Sequence, residues 1–183
     1  MYLCRHGQSH YNAQGKLQGQ LESPLTCLGK TQAKQLAISA KSWGITHIIS
    51  SSLSRAQQTA QICGQLLEVP VAIQTGLEER HYGHWQGSSI SQLPDFEEFK
   101  QHCYSHLDLA PCAGAESTAQ VRTRMEKQLS VLAQAPSTGN LLVISHGDAI
   151  DCLITSWSAP RHMKNSQHLR LIKEANNFVL DNR

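Results

Sequence analysis

The stretch "LCRHGQSHYN", residues 3–12, runs from a short apolar segment straight into Arg5, His6 and Gly7, then into a polar run ending at Asn12. A second stretch has the same plan. In "LLVISHGDAI", residues 141–150, an apolar strand again ends in a His-Gly pair, His146 and Gly147, ahead of a helical pattern. Open α/β sheets bind ligands beyond the carboxyl ends of their strands, so the repetition predicts that His6 and His146 face one crevice.

Outward from these two points the chain alternates strand and helix. After "MYLC" and a polar loop through "GKLQGQLESPLT", a helix is expected from Thr26, with Leu28, Gln32, Ala33, Leu36, Ala37 and Ala40 on one face and Gly44 as its stop. "THIISSS" reads as a buried strand, Leu53–Leu67 as a second helix and "VAIQ" as a third strand. Further on come a helix over Glu116–Ala133, the strand "GNLLVIS", the helix "GDAIDCLITSW" and a hairpin turning around Glu174–Asn176. The pattern predicts a three-layer α/β/α sandwich with a mostly parallel central sheet. At 183 residues a single domain over 1–183 is expected. The poorly periodic segment at about 76–115, with a short helix in "DFEEFKQHCYSHL", is expected as an insertion over the active site.

Composition narrows the function. A net charge of +2 with no long single-sign run argues against a nucleic-acid partner, and no run approaches the roughly 18 apolar residues of a membrane span. The start lacks an export-signal pattern and the six cysteines show no CxxC spacing, so the expectation is a cytoplasmic protein with free thiols. Trp43, Trp85 and Trp157 read as packing residues, with Trp85 also placed to line the mouth of a site. Oligomeric state is not legible; an open strand edge would suit a homodimer.

The residue types at the strand ends define a chemistry. A lone histidine at a strand end is commonly a hydrogen-bonded polar group, but two in the same context, each followed by glycine, suggest an anion pocket. Arg5 stands beside His6, and Arg55 in "SSSLSRAQQTA" lies in the first turn of a helix, where a cation is normally disfavoured unless an anion joins it. Guanidinium forks suit phosphate oxygens, and a neutral imidazole can attack phosphorus. A proton donor for the leaving oxygen is sought in Glu78 or Glu79 of "GLEERHYGHWQG", although adjacent loop acids are usually just solvated. A metal site is the competing reading of ten histidines. His6 and His10, or His102 and His106, have i,i+4 spacing, but no HExxH or comparable ligand set appears, and no metal is expected.

Five blocks, "RHGQSHYN", "LESPLTCLGKTQA", "SSLSRAQQTA", "LEERHYGHWQG" and "VISHGDAI", resemble the histidine phosphatase superfamily, also called the phosphoglycerate mutase-like family. The resemblance implies a phosphoglycerate mutase-like fold, with His6 as the nucleophile that becomes phosphohistidine and Arg5, Arg55 and His146 completing the phosphate pocket. It implies Glu79 as the general acid, Asn12 as a phosphate contact, Gln18 and Gly19 as loop positions near the phosphate, and Gly7 and Gly147 as the glycines following each histidine. Arg80 and Tyr82 would touch substrate, as in the mutases.

This chain departs from the family at Asp151, where an arginine often stands, and Asp148 is also acidic beside the pocket. Either side chain, if it faced the ligand, would weaken binding of highly anionic substrates. Phosphatase and mutase share the phosphohistidine step and differ in whether water or a retained phosphoglycerate takes the phosphoryl group. The short, acidic segment after "HWQG" favours water. A phosphatase acting on a small phosphorylated substrate (a sugar phosphate, a nucleotide-like ester or α-ribazole phosphate) is the preferred reading, and a phosphohistidine on a protein is a further candidate. The runner-up is a cofactor-dependent phosphoglycerate mutase, for which 2,3-bisphosphoglycerate would act as primer. A catalytically silent phosphate-binding module would typically have lost His6, Arg55, His146 or the acid, and all four remain.

Overall fold

A computed structural model describes residues 1–134, 138–175 and 177–181. Six strands form one sheet: β1 (Tyr2–Arg5), β2 (Ile45–Ser50), β3 (Val71–Ile73), β4 (Asn140–Ser145), β5 (His168–Glu174) and β6 (Asn177–Leu180), in the order β3-β2-β4-β1-β5-β6. The first four are parallel to one another, while β5 runs antiparallel to β1 and pairs with β6. The C-terminal hairpin is thus the antiparallel edge of the same sheet. Its expected turn includes Asn176, which lies outside the described residues.

Period-two alternation sorts the strand side chains onto two faces. Leu3, Leu141 and Val143 face one buried cluster with Val121, Met125 and Leu129 of α5 (Thr118–Gln134) and Ile150, Leu153 and Ile154 of α6 (Gly147–Ile154). Cys4, Ile48, Leu142 and Ile144 face the other, with Leu36 and Ala37 of α2 (Cys27–Ala40) and Ala56, Ala60 and Cys63 of α3 (Ser54–Leu67). These are the two outer layers of the expected sandwich.

Local signals set the helix ends. Thr26 caps α2 by accepting a hydrogen bond from Gly29 N, and Gly44 ends the following 3-10 turn in the left-handed region. Leu28, expected on the buried face, is instead exposed. A short helix that the polar loop concealed, α1 (His10–Ala13), is closed by a capping box between Ser9 and Asn12.

The insertion contributes α4 (Phe96–His102) and two 3-10 turns, held by a small core of Leu17, Tyr82, Trp85, Phe96, Phe99 and Cys103. Trp85 is a packing residue of this cap, Trp43 stacks on Tyr2, and Trp157 packs against the main core. Among the described residues all six cysteines are unpaired, no helix is long and apolar enough to cross a membrane, and no group of three His, Cys, Asp or Glu is arranged to hold a metal.

Candidate active site

β1 and β4 are adjacent parallel strands, and Arg5 is paired in register with Ser145. The next residue on each is a histidine, so register alone brings the two imidazoles together, and their ring centroids lie 5.0 Å apart. The ladder continues one step, with His6 N donating to Ser145 O at 3.0 Å. Two histidines 140 positions apart in sequence therefore need no loop to make them meet.

His6 is held in one tautomer. Its Nδ1 lies 2.6 Å from the Gly7 carbonyl, which can only accept, so Nδ1 carries the proton. The other nitrogen, Nε2, accepts from Arg55 Nε at 3.2 Å and keeps its lone pair toward the guanidinium. Burial, then the charges of Arg55 and Arg5, push the imidazolium well below its ordinary pKa. A neutral imidazole with an unprotonated Nε2 beside two guanidiniums is what attack on an anionic phosphate requires.

Arg55 is 1% exposed and fixed by backbone: its Nη1 donates to Leu21 O and its Nη2 to Gly19 O. Burial lowers its pKa to about 10, so it remains a cation at neutral pH. Arg5 donates from Nη1 to Met163 O at 2.6 Å, while its buried Nε has no hydrogen-bond partner among the described residues. His146 is likewise half satisfied. Its Nε2 shares a 2.8 Å hydrogen bond with Ser51 Oγ, whereas Nδ1 is buried without a partner. Buried polar atoms are ordinarily paired, so two orphans on residues of one site suit a bound anion.

Glu79 lies across the entrance to α6. Its Oε1 accepts from Arg80 N and from Ala149 N, and its Oε2 accepts from Asp148 N at 3.3 Å. The carboxyl thus caps a helix whose own N-cap, His146, offers no side-chain bond. Burial, and then the negative charge of Asp148, raise its pKa despite the opposing pull of Arg55. Glu78 turns away, accepting from Ser52 Oγ and Gly76 N, and does not line the cleft.

Arg5, His6, Arg55 and Glu79 line a cleft of about 310 Å3 with Asn12, Gln18, Gly19, Tyr82 and Gly147, while His146 is not among its lining residues and lies against the His6 ring. Asn12 reaches it beside Asn165, whose Nδ2 donates to Asn12 Oδ1 and to His6 O. Gln18 is buried and accepts from Ser9 Oγ at 2.7 Å, and the carbonyl of Gly19 serves to anchor Arg55.

Three expectations are corrected. Arg80 does not line the cleft: it is fully buried, paired with Asp148 through Nε and bonded to Glu116 O, Thr118 Oγ1 and Cys152 Sγ. Gly7, expected in the anion pocket, does not line the cleft, whereas Gly147 does, and neither has a positive φ. A Cβ at Gly7 would come 2.4 Å from Gly29 O, so that glycine lets the chain just past β1 run close to α2, and a Cβ at Gly147 would crowd the Arg5 guanidinium. Nor is the start of α3 open to a ligand, because Glu22 Oε2 accepts from Ser54 N at 3.1 Å. The anion site is carried by the Arg55 side chain.

Several lining residues escaped the sequence reading: Lys16, Lys100, His162 and Met163. Lys100 comes from the cap helix α4, and His162 and Met163 from an irregular segment after α6 that showed no periodicity or motif. Asp148 and Asp151 both line the cleft. Asp148 is enclosed by Arg80, Lys100, Tyr82 and Tyr104; burial pushes its carboxyl up, but Arg80, then Lys100 and Tyr104, hold it well below the usual range.

Comparison with known proteins agrees with this arrangement. The family model "Histidine phosphatase superfamily (branch 1)" matches residues 1–179. The protein described as "Probable phosphoglycerate mutase GpmB" from Escherichia fergusonii is 35% identical over 157 residues, which cover 85% of this chain and 73% of that protein. Among solved structures, "Mycobacterial hydrolase 1" superposes with a TM-score of 0.88 at 28% identity, covering 99% of this chain and 95% of that one. A mycobacterial glucosyl-3-phosphoglycerate phosphatase gives a TM-score of 0.85 at 29% identity over 99% of this chain and 96% of its own. By these matches the chain belongs to the histidine phosphatase superfamily and is an enzyme of phosphoryl transfer or hydrolysis.

Proposed function

We propose that the protein hydrolyses small phosphomonoesters through a phosphohistidine on His6. The observation that carries the reading is the fixed tautomer of His6, with Nδ1 donating to Gly7 O and Nε2 unprotonated in the same cleft as Glu79. The ester phosphate binds between Arg5 and Arg55, with His146 Nδ1 and Arg5 Nε meeting its oxygens. His6 Nε2 attacks phosphorus, and Glu79, whose pKa is raised by burial and by the charge of Asp148, gives a proton to the leaving alcohol oxygen. Water then attacks the phosphohistidine, with the Glu79 carboxylate taking its proton, and inorganic phosphate leaves. Asn12, Gln18 and Gly19 shape the phosphate end and Tyr82 the wall beside Asp148. The chemistry uses only side chains, so the reading includes no metal.

Water rather than a retained phosphoglycerate is favoured because the cleft is lined at its edge by the exposed His162 and covered by a cap of one short helix and two turns. The mutase reading draws on the Escherichia fergusonii relative. Phosphorus NMR of 3-phosphoglycerate with a trace of 2,3-bisphosphoglycerate decides between them. Free phosphate, or no change while p-nitrophenyl phosphate is hydrolysed, supports a phosphatase. Conversion to 2-phosphoglycerate without free phosphate establishes the mutase.

A further inference from the structure

Asp151 is a carboxylate that the phosphohistidine chemistry does not use. It is 2% exposed, yet it lines the cleft alongside Arg5, Lys100 and His162. Its Oδ1 accepts from Arg161 N at 2.9 Å and from His162 N at 3.1 Å, which ties the segment after α6 to the helix. Among the described residues its Oδ2 takes no hydrogen bond and no cation lies within ion-pair distance. The nearby cations are engaged elsewhere. Arg5 donates to Met163 O, Lys100 is shared between Asp148 and the Tyr104 hydroxyl, and Lys16, which also lines the cleft, lies over the Tyr11 ring. Oδ2 is not among the buried polar atoms that lack a partner, so it stands open as an acceptor on a residue that lines the cleft, where a ligand hydroxyl can meet it.

We propose that Asp151 sets the substrate class: the cleft takes phosphomonoesters of uncharged, hydroxyl-bearing alcohols and discriminates against those whose alcohol carries a second acid. Arg5 and Arg55 match the charge of one phosphate. Beyond them, a hydroxyl can donate to Asp151 Oδ2, whereas a carboxylate or second phosphate would meet the Asp151 anion after both lining guanidiniums are taken up by the first phosphate. Like charges juxtaposed in a partly desolvated site discriminate strongly. The inference rests on the phosphatase reading and concerns the alcohol end of the same site.

The test measures kcat/KM for glycerol 1-phosphate and for 3-phosphoglycerate, each divided by that for p-nitrophenyl phosphate, in wild type, D151N and D151A. Asparagine keeps an Oδ1 acceptor for the two backbone N–H groups and removes the charge; alanine removes both. Wild type is expected to prefer glycerol 1-phosphate, and D151N to shift the ratio toward 3-phosphoglycerate by about tenfold or more. An unchanged ratio in D151N, with loss confined to D151A, would reduce Asp151 to a loop anchor and overturn the proposal. So would a wild-type preference for 3-phosphoglycerate, which decides the matter even if neither variant folds. Wild type that fails to turn over p-nitrophenyl phosphate would overturn the phosphatase reading itself, a distinct failure that takes this inference with it.

Discussion

Adjacent acids with opposite environments divide the labour at Glu78 and Glu79. Glu79 reaches the cleft and caps α6, while Glu78 is spent on Ser52 and Gly76. With a phosphomonoester of a poorly leaving alcohol, Glu79→Gln is expected to slow phosphoenzyme formation by about 10²–10³-fold, against a few-fold at most for Glu78→Gln, in rapid-quench measurements. With p-nitrophenyl phosphate, whose leaving group needs little proton help, the Glu79→Gln loss should shrink. The pH profile follows from the same two groups. His6 must be neutral and its pKa is depressed, so activity falls only at pH well below its ordinary 6.5. Glu79 must be protonated and its pKa is raised above 4.5, so kcat/KM for the poor leaving group declines as pH rises through that raised value. Glu79→Gln should remove this alkaline limb; a limb that persisted would assign it to another group. The pair was visible in sequence as "LEER", but periodicity does not say which carboxyl turns inward, and only the resemblance chose Glu79.

The elements carry their own tests. The chain just past β1 runs so close to α2 that Gly7→Ala would place Cβ 2.4 Å from Gly29 O. Backbone cannot yield as a flexible side chain can, so a loss of about 1–3 kcal/mol is expected in urea unfolding, together with displacement of His6 and lower kcat. Cap and core are joined by the buried Arg80–Asp148 pair, which Tyr82, Tyr104 and Lys100 also engage. Arg80→Ala leaves the Asp148 carboxylate with only Lys100 and the two tyrosine hydroxyls and is expected to cost about 3 kcal/mol, read from the same unfolding curves. Asp148 has a depressed folded-state pKa, so its contribution is full above its unfolded pKa of 3.8 and is lost as pH falls through the lower folded value. Arg80 shows where sequence reasoning stopped. A cation next to a candidate acid reads as a substrate contact, and only the depth of the cap and the position of Asp148 reveal it as an internal pair.

At the scale of the molecule, the two strand-His-Gly repeats carried most of what was legible. Both strands, the helices on either side and the meeting of His6 with His146 follow from alternation and register. The antiparallel placement of the C-terminal hairpin beside β1 was not legible, because strand propensity does not choose a neighbour. The segment holding His162 and Met163 stayed hidden for a related reason. Its place is fixed by long-range bonds to Asp151, Arg5 and His6 rather than by any local pattern.

The most direct test of the account is to mix the enzyme with a 32P-labelled phosphomonoester, quench in alkali within milliseconds and locate the label. The account predicts an acid-labile, alkali-stable phosphohistidine on His6 that forms before inorganic phosphate and is absent from His6→Ala. Label on another residue, or turnover by His6→Ala at the wild-type rate, would contradict it.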